Sequence, residues 1–116
     1  MDELIYNSDM VRGNIDTFIL SVLLQEDNYG YKIIKEIYIK SGNLYELKEP
    51  TLYSSLRRLE SQRMIESYWG EETQGGRRKY YRITQSGIEL YEKNFREWKS
   101  ARDMIDRLIA SGREGK

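Results

Sequence analysis

Glu49-Pro50-Thr51-Leu52-Tyr53-Ser54-Ser55-Leu56-Arg57-Arg58-Leu59-Glu60-Ser61-Gln62-Arg63 reads as one short helix with two working faces. Pro50 is the only proline in the chain. Its fixed φ suits the first helical position, where its missing N–H would have no partner in any case. Leu52, Leu56 and Leu59 recur at spacings of four and three, which puts them on one stripe facing a core. Thr51, Ser54, Ser55 and Arg58 lie away from that stripe, and Tyr53 and Arg57 fall at its flanks. Hydroxyls and guanidinium groups contact phosphates, and arginine also reads guanine through two hydrogen bonds. The helix therefore suits a DNA groove, or it shows water an ordinary polar face.

Composition narrows the choice. The 116 residues form one domain with a modest core. Cysteine and histidine are absent, which removes thiolate and imidazole metal ligands, the cysteine nucleophile and the commonest general base. No paired carboxylates and no Ser-Lys arrangement stand out, and Gly75-Gly76 is a loop pair rather than a phosphate-cradling motif. An enzyme, a metal site and a cofactor are not expected. The 19 basic residues balance the 19 acidic ones, which counts mildly against a nucleic-acid partner. Their distribution counts the other way. Arg77, Arg78, Lys79 and Arg82 give residues 75–82 a charge of +4 with no acid, whereas residues 1–16 carry −3. The longest uncharged run, Thr17 to Gln25, is far short of the roughly 20 apolar residues of a membrane span. No secretory signal opens the chain. A soluble cytoplasmic protein without a membrane partner is expected.

Outward from the Pro50 helix, residues 9–25 predict a first helix with Ile15, Phe18, Ile19, Val22 and Leu23 on its apolar stripe. Met10, Gly13, Asp16 and Thr17 fall on its other faces, free for a partner or a pocket. A second helix is expected from about Tyr29 to Lys40, with Tyr31, Lys32 and Lys35 placed for phosphates. Gly42 suits a left-handed stop. Leu44 to Lys48 alternates weakly, as a short strand would. Met64 to Trp69 and Arg77 to Ile83 predict a β-hairpin around a polar, glycine-ended turn. Two helices followed by a hairpin make a winged helix-turn-helix. The Pro50 helix would enter the major groove, and the basic strand of the wing would touch the adjacent backbone.

Thr84 is a good N-cap for a last helix running to about Ala110, roughly 40 Å long at 1.5 Å per residue. Tyr91, Phe95, Trp98, Arg102, Ile105 and Ile109 form a heptad seam, widened by Met104 and Leu108. The seam favours a homodimer, which would suit a palindromic operator, over a helix folded back on its own domain. The fold class is thus mainly α with a small β-hairpin. Residues 1–84 would form a winged-helix DNA-binding domain, and residues 85–116 a dimerisation helix with a polar tail.

Together these residues resemble the PadR family of bacterial transcriptional regulators. The match is carried by Tyr29-Gly30-Tyr31-Lys32-Ile33-Ile34, by Pro50-Thr51-Leu52-Tyr53 with Leu56 and Arg58-Leu59-Glu60, and by Ile65-Glu66-Ser67-Tyr68-Trp69-Gly70. It continues through Gly75-Gly76-Arg77-Arg78-Lys79-Tyr80-Tyr81-Arg82-Ile83-Thr84 and Gly87. The short chain with one C-terminal helix looks like the compact, multidrug-sensing branch. The resemblance implies a dimeric, often autoregulatory repressor that binds double-stranded DNA. It implies DNA contacts at Thr51, Tyr53, Ser54, Arg57 and Arg58, at Tyr31 and Lys32, and at the wing residues Gly75, Gly76, Arg77, Arg78 and Lys79. It also implies a flat pore at the dimer centre, where Trp98 stacks planar aromatic effectors beside Phe95, with Met10, Gly13 and Thr17 along the walls.

Lys99 and Arg102 flank Trp98, so a cationic effector would need acids such as Asp16 or Glu97 turned inward. Trp98 could equally be a large residue filling the dimer seam with no ligand. Trp69 ends the first wing strand, where packing against Tyr80 and Tyr81 across the hairpin accounts for it. A rival reading of the whole chain is a winged-helix protein-interaction module without a small-molecule effector.

Overall fold

The computed structural model describes residues 8–71 and 76–114. Gly75, expected at the wing tip, lies outside the described residues. Eight elements follow one another: α1 (Ser8–Arg12), α2 (Ile15–Gln25), β1 (Asn28–Tyr29), α3 (Gly30–Lys40), α4 (Glu49–Ser61), β2 (Ile65–Trp69), β3 (Lys79–Ile83) and α5 (Gln85–Glu114). The sheet order is β1-β3-β2, antiparallel throughout.

The core lies where α2, α3 and α4 meet the sheet. Ile19, Leu20, Ile33, Leu52, Leu59 and Ile65 are among its closed side chains. On α4 the leucine stripe faces inward as its spacing predicts, and Pro50 stands in the first turn, where no N–H is needed. Ser55 differs from expectation. It is buried with the leucines, only 2% exposed, and its hydroxyl accepts a hydrogen bond from Arg58.

Three local expectations are corrected. The helix predicted over residues 9–25 is two helices broken at Gly13-Asn14. Glycine costs about 1 kcal/mol inside a helix, and asparagine favours caps. Here the Asn14 carbonyl accepts the Phe18 N–H and starts α2 afresh. Second, Tyr29 is extended rather than helical, and Asn28–Tyr29 pairs with Tyr80 and Tyr81, so the sheet has three strands. Third, Leu44 to Lys48 is not a strand. The Ser41 hydroxyl accepts the N–H groups of Leu44 and Tyr45, so that backbone has local partners in place of a ladder.

The helix ends explain the tight connections. Gly42 is left-handed at φ +77°, and the Asn43 and Gly42 N–H groups return to the Tyr38 and Ile39 carbonyls. Arg63 repeats this geometry after α4 at φ +65°, a conformation that costs a non-glycine residue about 1 kcal/mol or more. Thr84 caps α5, its hydroxyl accepting the Gly87 N–H at 3.1 Å. Gly87 lies against the Met64 backbone carbonyl, leaving no room for a Cβ. α5 therefore leaves the wing at a fixed angle and packs its first turns along α2. Among the described residues, no helix is long and apolar enough to cross a membrane.

Candidate nucleic-acid interface and aromatic cavity

α3 and α4 form the helix-turn-helix, and α4 turns Thr51, Tyr53, Ser54 and Arg57 outward. Tyr31, at the start of α3, is 68% exposed beside them. Tyr53 lies over Gly30, with its ring and hydroxyl where a Cβ would stand. A glycine at the first position of α3 therefore lets the two helices close around this tyrosine. Lys32 is half-buried, 3.7 Å from Glu26.

Arg58 is held differently from Arg57. Its guanidinium donates to both Asp16 oxygens, at 2.6 and 3.2 Å. This charge-assisted fork, with the hydrogen bonds as its main cause, raises the arginine pKa further. Asp16 and Gly13 line the hollow that Arg58 shares with Pro50, Thr51 and Ser54. Neither lies in the cavity that holds Trp98.

The wing carries its cations over aromatic rings. Arg77 covers Trp69 at 5.6 Å, Arg78 covers Tyr29 at 4.4 Å and Lys79 approaches Tyr81 at 5.8 Å. Gly76, three residues before β3, is left-handed at φ +95°. Tyr68 stacks on Tyr80 at 5.7 Å and donates its hydroxyl to Asp27 at 2.5 Å. That hydrogen bond, helped by burial, pushes the phenol pKa up.

A second site opens between α1, α2 and α5. It is an open cavity of about 580 Å³ lined by Met10, Val11, Asn14, Thr17, Phe18, Ser21, Tyr91, Asn94, Phe95 and Trp98. Met10, Thr17, Phe95 and Trp98 are thus brought together as the sequence suggested. Asn94 is an addition: it donates to the Thr17 hydroxyl at 2.9 Å and ties α5 to α2. Its place three residues after Tyr91 and four before Trp98 was the available signal. Arg102 lies 5.0 Å from the Trp98 ring and Lys99 lies 5.2 Å from Phe95. Among the described residues no carboxylate lines the cavity, for Asp16 faces Arg58, Glu97 pairs with Lys93 at 2.9 Å and Asp103 pairs with Arg102.

Beyond the cavity α5 runs free of its own domain. Trp98 is 44% exposed, Ile105 48%, Leu108 65% and Ile109 66%. Tyr91, at the near end of the seam, is half-buried and stacks on Phe95.

Comparison with known proteins adds to this geometry. The family model for the transcriptional regulator PadR-like family matches residues 19–93. A transcriptional regulator from Clostridium thermocellum is 48% identical and superposes with a TM-score of 0.83, over 89% of this chain and 97% of that one. A PadR family transcription regulator from Clostridium difficile is 38% identical, with a TM-score of 0.73 over 84% of this chain and 99% of its own. A relative from Lysinibacillus sphaericus is 42% identical over 92% of this chain and 97% of its own length.

Proposed function

This chain belongs to the PadR-like family of transcriptional regulators, and from that membership we propose that it is a dimeric, sequence-specific repressor of transcription that acts on its own promoter. Its family is one of regulators rather than enzymes. The observation that carries the reading is the outward face of α4, Thr51, Tyr53, Ser54 and Arg57, beside exposed Tyr31. Hydroxyls, phenols and a free guanidinium are the groups that reach phosphates and base edges. Arg77, Arg78 and Lys79 would meet the flanking backbone. Residues 1–84 act as the DNA-binding unit. Residues 85–116 act as the dimerisation helix and polar tail, the helix pairing through Tyr91, Phe95, Trp98, Arg102, Ile105, Leu108 and Ile109.

The effector reading is narrower. The chain resembles the multidrug-sensing repressor LmrR most in carrying Trp98 at the centre of a long, single C-terminal helix. The cavity beside Trp98 supports a site for flat aromatic molecules, since indole and phenyl faces stack without needing hydrogen bonds. Lys99 and Arg102 each stand over one face of these rings, so a further cation beside them meets repulsion, and neutral or anionic planar molecules suit this cavity better than cationic ones. An effector there would meet the Asn94–Thr17 link between α5 and α2. α2 also carries Asp16, the partner of Arg58 on α4, so the same helix touches both sites.

The test is fluorescence anisotropy on a labelled duplex from just upstream of the chain's own gene, against a scrambled duplex, at several salt concentrations. Tighter binding to the upstream duplex with a steep salt slope is the expected result. Equal, weak binding to both, with no sequence recovered by selection from random duplexes, would turn the reading toward a protein-interaction module.

A further inference from the structure

Trp69 is a large apolar side chain that no ring among the described residues packs against. Packing across the hairpin against Tyr80 and Tyr81 was its expected role. The aromatic cluster is built instead from Tyr68, Tyr80 and Tyr29, with ring centroids 5.7 and 5.5 Å apart. Trp69 stands opposite Lys79 at the end of the ladder and is 57% exposed. Side chains two apart share a face of a sheet, so Trp69 is on the side of Ser67 and Ile65, and Lys79 on that of Tyr81. This is the side that carries α4: Ile65 and Tyr81 are buried there, and the Ser67 hydroxyl donates to Glu60 of α4 at 2.6 Å. The indole thus stands at the outer end of the face that bears the recognition helix. Its position is fixed from behind. The Gly70 N–H donates to the Arg78 carbonyl at 2.8 Å, and Tyr80 fills the space where a Cβ at Gly70 would stand.

We propose, resting on the DNA-binding reading, that Trp69 is itself a DNA contact. Its free ring face packs on deoxyribose of the backbone that flanks the groove holding α4, while Arg77 and Lys79 pair with the neighbouring phosphates. The chemistry of the patch matches that partner. One ring face is covered by the Arg77 guanidinium and Lys79 stands opposite in the ladder, so an apolar plate is bordered by cations. A duplex backbone offers the complement, apolar sugar carbons between anionic oxygens. Glu71 adjoins the indole on the β2 side, but residues 76–82 hold no acid and bring Arg77 and Lys79 to it, so the returning strand is the edge that fits a polyanion.

The chain has two tryptophans, so Trp98→Phe leaves Trp69 as the sole indole reporter. Titration of this variant with a short duplex at low ionic strength, alongside anisotropy of the same duplex labelled, reads the contact. Trp69 emission is expected to change, and its quenching by acrylamide to fall, in step with the anisotropy. Trp69→Ala should weaken duplex binding about fivefold, the worth of roughly 40 Å² of apolar surface taken from water, without altering the salt slope, because no charge is lost. Trp69→Phe should keep most of the affinity. Arg77→Gln should lower the slope by about one phosphate. Rising anisotropy with unchanged Trp69 emission and quenching would overturn the proposal and leave the DNA reading intact. No rise in anisotropy on any duplex, with the parent chain as well as with Trp98→Phe, would overturn both.

Discussion

Two adjacent arginines on α4 have different partners, and the difference sets what each can do for DNA. Arg57 points outward, while Arg58 is held by both oxygens of Asp16. A half-exposed pair of this kind adds at most about 1 kcal/mol to stability, so its main consequence is to neutralise Arg58 toward an approaching phosphate. Arg57→Gln is therefore expected to lower the salt slope of DNA binding by about one, and Arg58→Gln to leave it nearly unchanged. Asp16→Asn frees Arg58 and should steepen the slope. Plots of log affinity against log salt for the three variants check this, and equal losses from Arg57 and Arg58 would refute it. Tyr68 offers a second test at this scale. Its hydroxyl bond to Asp27 favours the protonated phenol in the fold and raises its pKa above the ordinary value of about 10. Stabilisation from a raised group is complete below its unfolded pKa and is lost as pH climbs through the folded one. The melting temperature should fall on the alkaline side of about pH 10. Tyr68→Phe should melt lower at neutral pH and show a shallower alkaline fall. Buried Tyr81 is raised as well, by desolvation, so part of the alkaline loss should survive the substitution.

At the scale of elements, the packing of α3 on α4 depends on one missing side chain. The Tyr53 ring occupies the space beside Gly30, and the contact is the far end of a flexible side chain. Gly30→Ala should leave the melting temperature within a few degrees, displace Tyr53 and weaken DNA binding. Gly87→Ala meets the fixed Met64 carbonyl instead, and should cost stability outright. Thermal melts paired with anisotropy separate the two, and a large stability loss from Gly30→Ala would show that Tyr53 cannot yield. The same distinction between local and distant causes explains what could be read in advance. α4, the wing strands, the Thr84 cap and α5 follow from periodicity, a proline, a hydroxyl and a glycine pair within a few residues. β1 could not be read that way, because two residues are extended only through pairing with Tyr80 and Tyr81, some fifty positions later. Residues 10, 14, 17 and 21 keep helical spacing along the cavity wall. Asp16 is one residue off that row, about 100° around the α2 axis, and faces α4, and Gly13 in the break before α2 lines the same hollow. Sequence grouped Asp16 with Thr17, and only the placement of α4 reveals Arg58 as its partner. Trp98 and Phe95 were legible together from the seam of α5, while Met10 and Thr17 came to this candidate site only through the family resemblance. The charge of that site was not legible, since it depends on where Glu97 and Asp16 find their cations.

The whole molecule is unbalanced as a single copy. It measures 64 × 37 × 21 Å, and α5 alone, with 30 residues, spans about 45 Å at 1.5 Å per residue. The domain covers the first turns of α5 through α2 and leaves Met104, Ile105, Leu108 and Ile109 in water. Each such side chain is worth roughly 1.5–3 kcal/mol when fully buried. A two-fold interface uses every residue twice, so Ile105 and Leu108 would supply four of the buried chains that must offset the cost of association. Ile105→Glu with Leu108→Glu should therefore give a monomer in sedimentation equilibrium. The fold should survive, because neither residue touches the core, and far-ultraviolet dichroism should show loss confined to the end of α5. Binding to a duplex with two half-sites should then fall at least a hundredfold, while binding to a single half-site stays as weak as in the parent chain. The two affinities must diverge in this way if the helix serves to deliver two α4 helices about 34 Å apart along one face of DNA. A monomeric variant that still bound the full site tightly would mean that one winged helix is sufficient for recognition. The exposed half of α5 would then need a different partner.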